Sequence, residues 1–212
     1  MSSGDVENLF EIIPRIGVLR DSRFHAPLID MLAHKDSRRC EFAAYAMGAM
    51  GNREFLGPLK QAFQAVQKSK SSETQNLLIA IIEAIGAIGD DAAVDFFLPI
   101  LKGPEGVGHV RMLKWIVESL GAIAQQGGRR SLEALGDLTR HRNPELRSMA
   151  VSELAVAFWH RPNEIEDALL ARICDLMADK NPAVAESAVA AMQSLADVGC
   201  HKAEAFFANP GE

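Results

Sequence analysis

Two glutamates, Glu83 and Glu118, are the candidate pair for acid–base chemistry in this sequence. They occupy the same position in two successive copies of a repeat, so helices packed about 8–10 Å apart could bring both carboxylates to one groove. Glutamate is usually exposed, and we favour the interpretation that both are solvated acids on a polar helix face. The spacing of the other residues brings no Ser-His-Asp or Cys-His set together. The sequence therefore predicts no catalytic residue.

Nucleotide, metal and cofactor sites are not predicted either. The only glycine-rich stretch is Gly103–Gly108, and it is followed by His109 and Val110 where a phosphate-binding loop carries Lys and then Ser or Thr. We interpret it as a flexible link between helices. The cysteines form no CxxC pair and are expected to be reduced, partly buried thiols: Cys40, Cys174 and Cys200.

The composition indicates close-packed helices. Among 212 residues there are 31 Ala but only 13 Phe, Trp and Tyr together, and Ala loses no side-chain entropy in a helix. No apolar run approaches the roughly 18 residues of a membrane span, and the first residues do not resemble a signal peptide. The net charge of −6 argues against a long phosphate-binding surface. We expect a cytoplasmic protein that binds no membrane, and nucleic acid is disfavoured as a partner.

An internal repeat organises the chain. Near-copies of one four-residue pattern occur at Ile16–Leu19, Met47–Met50, Ile85–Ile88 and Leu120–Ile123, with a weaker copy at Leu154–Ala157. Six longer copies align with starts 31, 38, 35, 34 and 38 residues apart, and position n denotes the nth residue after a start. The starts are Asp5, Asp36, Thr74, His109, Asn143 and Asn181.

Four positions of the repeat are apolar in every copy, namely the seventh, eighth, eleventh and fourteenth, as in Ile81, Ile82, Ile85 and Ile88. This spacing is typical of the buried stripe of an amphipathic helix. Position twelve holds Gly, Ala or Gln, and small residues there would let a neighbouring helix approach closely. The repeated helices are predicted at about 5–20, 36–51, 74–89, 109–124, 143–158 and 181–198.

A second amphipathic segment lies between successive repeated helices, and we call these the connecting helices. Polar links join each of them to the next repeated helix. Asp36, Asn143 and Asn181 are predicted N-caps, and Pro144 and Pro182 follow at the first helical position. The connecting helices are predicted at Arg23–Ala33, Arg53–Val66, Asp91–Leu101, Arg129–Arg140 and Asn163–Ala178. Each repeat is thus a helical hairpin that buries its apolar stripe only by stacking on its neighbours.

The segment Asp36–Gly51, with the sequence Asp-Ser-Arg-Arg-Cys-Glu-Phe-Ala-Ala-Tyr-Ala-Met-Gly-Ala-Met-Gly, resembles the second helix of a short HEAT repeat of the type first associated with phycobilisome lyases. Asn143–Arg147 matches the opening of that pattern best. The resemblance implies an all-α fold, a right-handed α-α superhelix of about five to six stacked hairpins, forming a single domain over residues 1–212. The arginine typical of the family is present only as Arg147, so we expect apolar stacking to replace most of its Asp–Arg ladder.

In HEAT-like proteins this helix lines a concave surface, and the resemblance therefore implies a binding face. The function predicted is a non-catalytic module that binds a partner protein or peptide in that groove, because exposed aromatic and Arg side chains form binding hot spots. The alternative for the aromatic rings, Trp159 included, is that they fill gaps between helices. The candidate partner-binding residues are Arg38, Glu41, Phe42, Tyr45, Arg111, Lys114, Trp115 and Glu118.

Three other activities are suggested by families that this repeat pattern resembles. Phycobilisome lyases suggest a bilin lyase or chromophore chaperone, although no residue here is identified as holding a bilin. Alkylation-repeat glycosylases suggest DNA binding, which the net charge of −6 disfavours. Deoxyhypusine hydroxylases bind iron through His-Glu pairs, and none of the six histidines here is followed by Glu. No cofactor is therefore predicted.

Overall fold

A computed structural model describes residues 12–68, 71–102 and 110–208. All regular structure in these ranges is helical, which confirms the all-α fold class. The α-helices of these ranges are α1 Ile13–Leu19, α2 His25–Leu32, α3 Ser37–Met50, α4 Leu56–Val66, α5 Ser72–Ile88, α6 Val94–Lys102, α7 Val110–Gln125, α8 Arg129–Leu138, α9 Pro144–Ala157, α10 Asp167–Leu176, α11 Pro182–Asp197 and α12 His201–Ala208.

The repeated helices are α3, α5, α7, α9 and α11, together with α1 as the described part of the first copy. Their bounds follow the predicted ones closely, except that α5 begins at Ser72 rather than Thr74 because Ser71 caps it. The start of the first copy at Asp5, the link Gly103–Gly108 and the start of the fourth copy at His109 lie outside the described residues.

The N-caps are placed where the sequence predicts them. The side chains of Asp36, Asn143 and Asn181 each accept a hydrogen bond from the backbone N–H two residues later, at 3.0, 2.9 and 3.1 Å. Pro144 and Pro182 open α9 and α11, where the missing N–H costs no helical hydrogen bond. Side-chain capping therefore fixes the beginning of these repeated helices.

The connecting helices match their predicted segments, and a 3₁₀ turn precedes four of them: Ser22–Phe24, Arg53–Phe55, Asp91–Ala93 and Pro162–Glu164. One helix was not expected from the sequence. α12 begins at His201, twenty residues after the start at Asn181, just as α4 begins at Leu56, twenty residues after Asp36. α12 thus occupies the place of a further connecting helix.

The chain forms two compact units, the first ending at Ser119 and the second beginning at Leu120. In the first unit α1, α3 and α5 pack side by side, with α2 on α3 and α4 on α5. In the second unit α9 packs on α11, with α8 on α9, α10 on α11 and α12 on α11. None of the described helices combines the length and hydropathy that a membrane span needs.

The apolar stripe is buried as predicted in the middle copies. Ile81, Ile82 and Ile85 on α5 are fully buried. The exceptions lie in the first and last copies, where Leu19 is 65% exposed and Val189 is 43% exposed. Burial of the stripe therefore needs a neighbouring repeat on each side, as expected for stacked hairpins.

Glycines at position twelve bring the repeated helices close together. A Cβ added to Gly48 on α3 would lie 2.8 Å from the Cα of Ala84 on α5, and one added to Gly86 would lie 2.8 Å from the Cβ of Ser119 on α7. At this contact Ser119 Oγ donates a hydrogen bond to the Ile82 carbonyl oxygen at 3.1 Å. α3, α5 and α7 are thereby held at short separations within the first unit.

Candidate functional site

The candidate site lies in the first unit, on α3, α5 and the part of α7 that ends at Ser119, and we call their solvent-facing side the α3–α5–α7 face. Its central residues are Tyr45, Glu83 and Glu118, which occupy position nine of three successive copies. Gly48 and Gly86 allow close approach between these helices, and Tyr45 on α3 interacts with Glu83 on α5. All three side chains are partly exposed.

Tyr45 and Glu83 join α3 to α5. The Tyr45 hydroxyl donates a hydrogen bond to the Glu83 carboxylate. Burial raises the pKa of Tyr45 to about 12, and the negative charge of Glu83, this hydrogen bond and the charge of Glu41 add to the rise. Tyr45 is therefore a neutral hydrogen-bond donor at physiological pH, fixed against its neighbour.

Glu41 lies one helical turn before Tyr45 on α3. Burial raises the pKa of Glu41, the charge of Arg38 lowers it, and the charges of Asp36 and Glu73 raise it further. Arg38 is exposed while Glu41 is half-buried. Glu41 is therefore a half-buried carboxyl group with the Arg38 guanidinium close enough to stabilise its charge.

On α7, Lys114 and Glu118 form an ion pair with Nζ and Oε1 3.6 Å apart. The two side chains are 56% and 36% exposed, so the pair is solvated and contributes little to stability. Lys114 Nζ also lies 5.8 Å from the centroid of the Trp115 ring, and Trp115 is half-buried. Part of the Trp115 surface is therefore accessible to a partner. The side chain of the remaining candidate on this helix, Arg111, lies outside the described part of the chain.

The expectation that Phe42 contributes to an exposed face is wrong. Its side chain is only 3% exposed, so Phe42 belongs to the packed interior of the first unit. Position six lies at the edge between the exposed and buried sides of the helix, since Ala80 is fully buried and Trp115 is half-buried at the same position. Variation between copies therefore does not identify exposure at this position. Trp159, in the second unit, is 48% exposed.

The two glutamates considered for acid–base chemistry have separate partners. Glu83 accepts from Tyr45 on α3, whereas Glu118 pairs with Lys114 on its own helix. Within residues 12–68, 71–102 and 110–208, no group of three or more His, Cys, Asp or Glu side chains could hold a metal ion. What the face offers is a set of hydrogen-bonding groups and one accessible indole ring, which suits recognition of another molecule.

Two histidines have a structural role that was not predicted from the sequence. His34 Nδ1 accepts the backbone N–H of Asp36 at 3.0 Å, and His141 Nδ1 accepts that of Asn143 at 3.1 Å. Asp179 does the same for Asn181 through Oδ1 at 2.9 Å. The signal was present in the links, because in three copies an acceptor side chain stands two residues before the N-cap. These residues fix the entry to α3, α9 and α11.

No known protein-family model matches the chain, and no curated protein matches its sequence. The resemblance to short HEAT repeats accordingly remains a prediction that depends on the repeat pattern.

Proposed function

We propose that this chain is a non-catalytic protein-interaction module of the HEAT-like type. Its hairpins would stack into a right-handed superhelix, and the α3–α5–α7 face would be part of its concave surface. A partner protein, or an extended peptide segment of one, would bind along this face. Phe42 is left out because it is buried. The contact residues of this proposal are Arg38, Glu41, Tyr45, Arg111, Lys114, Trp115 and Glu118.

The observation that supports it best is the hydrogen bond between Tyr45 and Glu83 on neighbouring helices. Contact with Glu83 restricts the Tyr45 side chain before any partner arrives, so less side-chain entropy is lost on binding. Trp115 is half-buried, which restricts its ring as well. Aromatic side chains that are fixed in advance and bordered by charged groups are typical of protein-binding hot spots.

The charges of this face favour a protein over a nucleic acid as partner. The three carboxylates of Glu41, Glu83 and Glu118 match in number the three candidate cations, Arg38, Arg111 and Lys114, so the face carries no excess of positive charge. Lys114 is in addition paired with Glu118. Nucleic-acid binding depends on clustered cations that neutralise phosphates. A peptide can instead supply donors to the carboxylates and an apolar side chain to Trp115.

The test is to isolate the tagged full-length chain, with its bound proteins, from cells that naturally contain it. Recovered proteins are quantified by mass spectrometry for the wild type and for Trp115→Ala, Tyr45→Ala and Trp159→Ala. We expect a partner that is lost from the first two variants and retained by Trp159→Ala, the matched control with an exposed Trp in the other unit.

The partner is then purified, and its affinity for each variant is measured by calorimetry. Loss of a hot-spot aromatic ring should weaken binding by roughly 30-fold or more. A partner that binds Trp115→Ala and Tyr45→Ala as tightly as the wild type would show that the α3–α5–α7 face is not the binding surface.

A further inference from the structure

The first unit contains a second feature, separate from the α3–α5–α7 face. A cavity of about 590 Å³ lies between the connecting helices α2 and α4, next to the first turns of α3 and α5. This volume is within the range of small-molecule sites in proteins, about 300–1,000 Å³. Its apolar lining consists of Ile29, Leu32, Ala33, Pro58, Ala62, Ala65, Val66 and Leu77.

The next pair of connecting helices shows what fills the equivalent space elsewhere in the unit. Phe63, the eighth residue of α4, and Phe96, the third residue of α6, pack edge to face with their ring centroids 5.1 Å apart and their planes at 84°. Phe63 is 1% exposed. Two aromatic rings thus close the gap between α4 and α6.

Between α2 and α4, the positions that correspond to Phe63 and Phe96 hold smaller side chains. The eighth residue of α2 is Leu32, and the third residue of α4 is Pro58. Both line the cavity. The cavity therefore lies where the repeat elsewhere places an aromatic pair, and apolar side chains line it on both helices.

Most of the polar lining lies at the beginnings of α3 and α5, where His34, Lys35, Ser37, Glu73 and Thr74 are found, and Gln61 on α4 adds one amide. Ile29 on α2 is large and apolar but 38% exposed. An apolar body with a polar group at one end matches this arrangement, because the rings would displace water from apolar walls and the polar group would stay hydrated.

We propose that this cavity is a binding site for a small aromatic molecule, a compound with one or two fused rings and a polar substituent. The rings take the place of the Phe63–Phe96 pair between α2 and α4, and the substituent lies towards Lys35 and Glu73. The site does not depend on the partner-binding role of the α3–α5–α7 face, which lies on the repeated helices.

The probe for the test is 1-naphthol, titrated against the full-length chain and followed by its own fluorescence and by protein NMR. We expect saturable binding at one site, with intermolecular NOEs to the methyl groups of Ile29, Leu32 and Leu77. Cyclohexanol, which is apolar but not flat, is expected to bind at least 10-fold more weakly. Failure of 1-naphthol to saturate, or NOEs only to methyl groups elsewhere, would overturn the proposal.

A filled variant tests the location directly. Leu32→Phe combined with Pro58→Phe copies the aromatic pair of α4 and α6, and we expect it to weaken 1-naphthol binding at least 10-fold. Ala26→Phe adds one ring to an exposed position of α2 outside the cavity and is the control that should bind as the wild type does. Equal affinity of the filled variant and the wild type would overturn the proposal.

Two further experiments complete the test: a check that the filled variant folds, and a titration with a peptide. Circular dichroism and thermal melting show whether the filled variant folds; if it does not, Ala62→Leu narrows the cavity from its wall and is expected to weaken binding at least threefold. A blocked Gly-Phe-Gly peptide that binds the cavity more tightly than 1-naphthol would assign it to a protein side chain and would likewise overturn the proposal.

Discussion

The guanidinium of Arg147 holds the carboxylate of Asp179 through two hydrogen bonds, from Nε to Oδ2 at 2.9 Å and from Nη2 to Oδ1 at 2.8 Å. Its Nη1 also donates to the carbonyl of His141 at 2.9 Å. Both side chains are about nine-tenths buried. Since Asp179 accepts the N–H of Asn181, one ion pair connects the beginning of α9 with the entry to α11.

Arg147→Ala should therefore destabilise the chain markedly, because removing one partner of a buried ion pair leaves the other charge uncompensated. We expect a fall in Tm of roughly 5–10 °C. Arg129→Ala is the matched control, since Arg129 and Glu133 form an ion pair with side chains 85% and 65% exposed. That control should change Tm by less than about 2 °C, and equal effects in both variants would contradict the role given to the buried pair.

Gly48→Ala tests the close approach of α3 and α5. Alanine is the better helix former by about 1 kcal/mol, but its Cβ would lie 2.8 Å from the backbone of Ala84. We expect a net loss of about 1–2 kcal/mol in the free energy of unfolding, measured by urea denaturation. Gly57→Ala in the first turn of α4 meets nothing within 4 Å and should stabilise by about 0.5 kcal/mol. Stabilisation by both changes would mean that the helices are not in close contact at Gly48.

The fold was predictable where each repeat copy carries its own signal. Asn143 followed by Pro144 predicts both the cap and the first residue of α9, and the structure has both. The buried stripe of α5 was likewise predictable, because its positions are apolar in every copy. α12 was not predicted because each predicted connecting helix lies between two repeat copies, and no copy was identified after the one that starts at Asn181.

The candidate site was less predictable. Tyr45, Glu83 and Glu118 share a repeat position, and their alignment on one face follows from the spacing alone. The hydrogen bond between Tyr45 and Glu83 depends on how closely α3 and α5 approach, and the sequence carries that information only through Gly48. The burial of Phe42 was not predictable, because a side chain at the edge of the stripe is buried or exposed according to its neighbours.

Ile82→Asp and Val189→Asp compare the same repeat position in two environments. Ile82 is fully buried, whereas Val189 is 43% exposed in the last copy. We expect Ile82→Asp to cost more than about 4 kcal/mol or to prevent folding, because it buries an unpaired charge. Val189→Asp should cost no more than about 1 kcal/mol. Similar melting curves for the two variants would show that position eight is not a buried position.

The chain should become less stable as the pH falls below neutrality, and His141 should account for part of this loss. Burial lowers the pKa of His141 below its ordinary value of 6.5, and the charges of Arg142 and Arg147 lower it further. As the pH falls, His141 takes up a proton in the unfolded chain before it does so in the folded chain. The contribution of His141 to stability is therefore complete above pH 6.5 and is lost as the pH falls below that value.

Urea denaturation at pH 7.5 and 5.5 checks this effect. His141→Asn keeps a side-chain oxygen that can accept the Asn143 N–H but does not titrate, so its stability should fall less between the two pH values than that of the wild type. The other five histidines are common to both proteins and cancel in the comparison. An identical pH dependence in both proteins would show that His141 does not contribute.

The chain has a single tyrosine, so tyrosinate absorbance at 295 nm reports on Tyr45 alone. With the pKa of Tyr45 at about 12 instead of 10.0, the folded chain should ionise near pH 12 and the urea-unfolded chain near pH 10. Because the folded state holds the proton more tightly, stability should decrease as the pH rises from 10 towards 12. Stopped-flow pH jumps measure the folded state before it unfolds. Glu83→Gln removes the neighbouring charge and should move the midpoint part of the way back, since burial remains the larger cause. An unchanged midpoint in Glu83→Gln would refute the contact between Tyr45 and Glu83.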